Sequence, residues 1–94
     1  MDIKLLHIEA QESSHLQDGD YPVEVRLEID GVPHTFTLTI MPGAIPELGA
    51  GLIVPSPLME DRFRVEQYAL HRICRLVGKH LHGESVRLPR QIAA

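Results

Sequence analysis

From Val23 to Ile40 apolar and polar residues alternate nearly without fault, around a single interruption at Asp30-Gly31. Val23, Val25, Leu27 and Ile29 alternate with Glu24, Arg26 and Glu28, the period of a half-buried strand. Asp and Gly both tolerate positive φ, so Asp30-Gly31 predicts a two-residue hairpin turn. That turn fixes the register: Ile29 opposes Val32, Leu27 opposes His34, Val25 opposes Phe36 and Val23 opposes Leu38. Opposed residues share a face, so the second strand must be apolar at even positions. Val32, Phe36, Leu38 and Ile40 meet that demand, Thr35, Thr37 and Thr39 take the other face, and His34 is the one polar residue inside. A slip of one residue would reverse every side chain. Pro33 then falls in a non-hydrogen-bonded pair with Glu28, its missing N–H turned away from the partner strand. That end of the strand is expected to be a free edge. The first strand, Ile3 to Ala10, accordingly joins the other side in a 1-2-3 meander.

The first strand breaks the alternation, because Ile3 and Leu5 share one parity while Leu6, Ile8 and Ala10 share the other. A bulge near Leu5–Leu6 reconciles them, as does cover on both faces at one end. Residues 11–20 are polar and end in the turn-rich Asp18-Gly19-Asp20.

A sheet with one apolar face needs a cover, and Ser56 to Gly83 supplies it. Ser56 suits an N-cap, Pro57 the first helical position and Gly83 a left-handed stop. Met59, Phe63, Leu70, Ile73, Cys74, Val77 and Leu81 recur at helical spacing, with Val65, Ala69 and Leu76 widening that face. One long amphipathic helix is predicted. Between sheet and helix, Pro42-Gly43, Pro46, Gly49 and Gly51 predict a loop over residues 41–55. That loop is oddly apolar, and Ile45, Leu48, Leu52 and Ile53 make it a candidate interface. Val86 and Leu88 suggest a short fourth strand near 85–88, closed by Pro89. The expectation is therefore an α+β two-layer sandwich in the order β-β-β-α(-β). It is a single domain over residues 1–89 with a flexible tail at 90–94.

Composition narrows the function classes. With 94 residues there is room for one domain, and without Trp its core must rest on Leu, Ile and Val. The net charge of −4 disfavours general affinity for nucleic acid or anionic membrane. Cys74 is the sole cysteine, which excludes an internal disulfide and a Cys-based zinc site. The start, MDIKLLHIEA, lacks a basic-then-apolar leader, and no stretch has membrane-spanning length, so a cytoplasmic protein is expected.

Four groups of residues invite a functional reading. Arg64, His71, Arg72, Arg75 and Lys79 form a basic helix face able to follow a phosphate backbone. Sorting of charge by the helix dipole accounts for the same order. Glu66 falls within the apolar stripe near Arg62, and a contact with His34 would make a buried polar cluster suited to a ligand or an enzyme site. Structural ion pairing of Arg62 with Glu66 is the plainer account. The six histidines include His80 and His82, but residues two apart on a helix diverge, so no metal site is expected. Gly49-Ala50-Gly51 lacks the spacing of a phosphate-binding loop. No catalytic residue and no cofactor is expected. The leading expectation is a small non-enzymatic module acting on a protein partner, itself included as a homodimer. Nucleic-acid binding through Arg64, Arg72, Arg75 and Lys79 is the alternative.

Overall fold

The alternation around Asp30-Gly31 becomes β2 (Tyr21–Ile29) and the long β3 (Val32–Ile45). The structure, a computed structural model, describes residues 2–10, 21–45, 50–81 and 83–94. The predicted register holds throughout: Ile29 opposes Val32, Leu27 opposes His34, Val25 opposes Phe36 and Val23 opposes Leu38. Both turn residues are left-handed, Asp30 at φ 50° and Gly31 at 84°, as a type I′ turn requires. Val23, Val25, Leu27, Ile29, Leu38 and Ile40 are buried. Val32, expected inside, is 54% exposed. It lies beside the turn, whereas the next strand pairs with β3 only from Leu38 onward.

In β1 (Ile3–Ala10) the parity fault is a bulge. Ile3 opposes Ile29 and Leu5 opposes Leu27, but His7 opposes Arg26, leaving Leu6 as the extra residue. The bulge lets Ile3, Leu5 and Ile8 all face the core.

Three expectations are corrected by tertiary pairing. Residues 41–55 were expected to be a loop, but β3 runs on to Ile45 and pairs with β4 (Ala50–Pro55). The apolar character that suits a loop poorly suits a strand. Pro55 is compatible because it opposes Leu38, whose own hydrogen bonds go to β2 by the alternation of the hairpin. The Leu38–Pro55 pair is therefore non-bonded, and the missing N–H faces off the sheet edge. Ser56 N–H, one residue on, donates to Thr37 O at 3.0 Å, in phase with that alternation. Secondly, the strand near the C-terminus is β5 (Arg90–Ala93) and not 85–88. The supposed tail pairs with β1, Ile3 opposite Ala93 and Leu5 opposite Arg90, and buries Ile92. Val86 and Leu88 still pack against the core, without strand geometry. The result is one five-stranded antiparallel sheet, ordered β4-β3-β2-β1-β5.

Thirdly, the helix is two helices, α1 (Pro57–Arg62) and α2 (Gln67–Leu81). Ser56 Oγ accepts from Met59 N–H at 3.3 Å and Pro57 opens α1, as the sequence predicts. Residues 63–65 then form a turn with no Gly or Pro to announce it. Phe63 O, left over at the end of α1, accepts from Glu66 N–H and from Gln67 Nε2, at 2.9 and 3.2 Å. The break sinks Phe63 completely into the core, edge-on to Phe36, and turns Val65 outward to 85% exposure. The buried face of both helices and the inner sheet face make one core cluster, an α+β arrangement. No helix among the described residues is long and apolar enough to cross a membrane.

The break buries Phe63 and leaves in water Val65, which a continuous helix would carry on the flank of its apolar face. Phe63→Ala should cost about 3–5 kcal/mol in urea unfolding, as for a buried aromatic, while Val65→Ser should change stability by no more than about 0.5 kcal/mol. Comparable losses for both would restore the single helix.

Candidate binding surface on the second helix

Helix α2 presses Ala69, Leu70, Ile73, Leu76 and Val77 into the core, against β1 and β5. Its other side carries Tyr68, His71, Arg72, Arg75 and Lys79, all exposed except Arg72, which is partly buried. Tyr68, Arg72, Arg75 and Lys79 lie at steps of four, three and four residues. At about 100° per residue these fall within an arc of about 60°, a straight row about 16 Å long. Leu76 lies at the foot of this row, and β5 runs beside it. Together Tyr68, His71, Arg72, Arg75, Lys79 and Arg90 border a groove of about 340 Å³. Arg72 fastens the two elements together, its Nη1 donating to Ile92 O at 2.6 Å. Among the described residues, no carboxylate pairs with Arg75, Lys79 or Arg90.

Four of the five residues expected on the basic face therefore do converge. Arg64 does not, because the turn after α1 points it elsewhere and it pairs with Asp61. Arg90 takes its place. Sequence reading missed it because nothing local marks a four-residue segment as a strand; only the pairing with β1 brings it alongside α2.

A second, larger groove of about 770 Å³ separates β4 from the helices. Ile53 and Pro55 line one wall, and Glu60, Arg64, His71 and Cys74 line the other. Burial pushes the half-buried Cys74 thiol above its ordinary pKa, which favours the unreactive protonated form. His34 and Glu66 line neither groove. His34 stacks on Phe36 with centroids 6.0 Å apart, and Glu66 is half-buried in the link between the helices. Of the supposed interface residues, Ile45 and Leu52 belong to β3 and β4, and Ile53 packs partly buried against the core. Leu48, like His15 and His82, lies outside the described residues. Among the described residues, no three His, Cys, Asp or Glu side chains group as metal ligands.

Compared with known protein families, curated proteins and solved structures, the chain matches none.

The Cys74 environment has a chemical consequence. Since burial opposes the thiolate, alkylation by iodoacetamide at pH 8 should run several-fold slower than for a free cysteine, the gap closing in urea. The raised pKa also means that folding disfavours ionisation, so any contribution from the thiol is complete below the ordinary thiol pKa and is lost as pH rises above it. Native alkylation as fast as in urea would contradict the buried placement.

Proposed function

We propose that this chain is a small non-enzymatic binding module whose working surface is the basic groove on α2, holding a negatively charged macromolecular partner. One observation carries the reading: Arg72, Arg75 and Lys79 from the helix and Arg90 from β5 line one groove, on a chain whose net charge is −4. Charge sorting by the helix dipole explains bases late in α2, but it gives no reason for a cation from another element to join them. Like charges gathered in one groove oppose folding slightly, and a bound anion relieves that repulsion. Glu9 and Glu24 stand exposed on the sheet, outside this groove. Both an acidic protein segment and a nucleic-acid strand present the required row of negative charge.

The test is retention on heparin and on immobilised poly-glutamate. Arg75→Glu with Lys79→Glu should abolish retention at low salt. The charge-matched control Arg26→Glu with Arg87→Glu, both exposed and neither lining the groove, should leave most of it. Equal losses in the two variants would reduce the groove to a share of overall charge.

A second reading, self-association, is favoured by the outer edge of β4. Ile53, opposite Ile40, shares the phase of Pro55, so its N–H and C=O point off the sheet. A second copy could continue the sheet there by antiparallel pairing. Sedimentation should then detect a dimer that Ile53→Pro dissociates, since that N–H is not used in pairing with β3. A wild-type monomer at millimolar concentration would remove this reading.

A further inference from the structure

We infer that the basic groove takes single-stranded nucleic acid, with Tyr68 as the platform on which an unpaired base stacks; the inference rests on the reading of α2 as an anion-binding surface. Tyr68 is 76% exposed and heads the same helical row as Arg72, Arg75 and Lys79. The two phenylalanines are engaged elsewhere: Phe63 is fully buried, and Phe36 packs against Phe63 and His34. Beside cations that have no carboxylate partner among the described residues, an exposed ring offers an acidic peptide no more than one phenolic donor, because its carboxylates chiefly need charge. A base needs both, a π-face to stack on and cations for the phosphates that flank it.

The dimensions fit one strand. Along the helix axis Tyr68 to Arg72 rises about 6 Å, Arg72 to Arg75 about 4.5 Å and Arg75 to Lys79 about 6 Å, so a base at Tyr68 leaves two or three successive phosphates over the cations. A duplex presents its bases paired and stacked inward, where Tyr68 cannot reach a face. It would also bring a dense, rigid charge array up to a chain that is acidic as a whole. A single strand bends to follow the local basic row. Arg72, held to Ile92 O, fixes the row against β5, so the groove is formed before any ligand arrives.

The chain contains two tyrosines and no tryptophan, so Tyr21→Phe leaves Tyr68 as the sole tyrosine emitter. Titrating that variant with a twelve-residue oligo-dT or oligo-U should quench its fluorescence to saturation. With three phosphates neutralised, affinity should fall about 20-fold between 50 and 200 mM salt. Anisotropy of a labelled oligonucleotide should show at least about fivefold weaker binding for Tyr68→Ala and near wild-type binding for Tyr68→Phe. Because Tyr68 is exposed, neither substitution threatens the fold. Binding of poly-glutamate should be the same in all three proteins. If oligonucleotides bind without quenching, if Tyr68→Ala binds them as well as wild type, or if duplex DNA binds as tightly, the stacking inference is overturned while the anion-binding surface stands. If heparin, poly-glutamate and oligonucleotide all fail to bind, both fall together.

Discussion

Asp30 and Asp2 hold each other at the turn end of the sheet, tying the β2–β3 turn to the start of β1. Asp30 N–H donates to Asp2 O, and Asp2 N–H donates back to Asp30 Oδ1, each at 2.8 Å. The turn that sets β2 against β3 thus also fixes where β1 begins. From Asp2 the connection continues outward: Gln91 Nε2 donates to Asp2 Oδ1 and, at 3.3 Å, to Ile3 O. Gln91 precedes Ile92, the residue whose carbonyl receives Arg72. A path of hydrogen bonds therefore runs from the β2–β3 turn through β1 and β5 to the basic row on α2. The position of Arg90 beside that row follows from the path, since Arg90 opposes Leu5 in the same ladder.

Two devices keep this small sheet from being left half-paired. The Leu6 bulge restores inward parity to Ile8 after Leu5, so that β1 can bury apolar residues along its length without giving up its register with β2. The prolines supply the other. Pro33 and Pro55 both stand where a strand residue turns its N–H away from its partner, so neither removes a ladder bond. The turn between α1 and α2 serves the same economy. It lets Met59 and Phe63 enter the core at one angle and the α2 residues at another, which one straight rod over a twisted sheet could not do as fully.

Charge is arranged by face and not by total. The overall balance is acidic, yet α2 and β5 gather four cations along one groove, and among the described residues no carboxylate pairs with Arg75, Lys79 or Arg90. Net charge governs what approaches from afar, and local charge governs what stays, because screening in physiological salt confines each exposed charge to about 8 Å. The composition alone argues against an anionic partner; the surface argues for one of limited length.

The sequence by itself determined what depends on near neighbours. The type I′ turn, the register of β2 on β3, the edge character of Pro33, the Ser56 cap and the inward faces of Met59, Phe63, Leu70, Ile73 and Val77 all follow from local sterics and short-period patterns. The need for a bulge in β1 was visible too, although two arrangements met it. Only the tertiary structure decided what depends on a distant partner. Residues 50–55 and 90–93 are strands because β3 and β1 offer unpaired edges to them; Gly51 and Pro55 mask the apolar run Leu52-Ile53-Val54 in one, and the other is too short to carry a pattern. The gap after Arg62 brings Phe63 edge-on to Phe36, a contact spanning two layers that no local pattern announces. The basic groove divides along the same line, its helical row readable from spacing, its Arg90 supplied only once the chain had returned to pair with its own beginning.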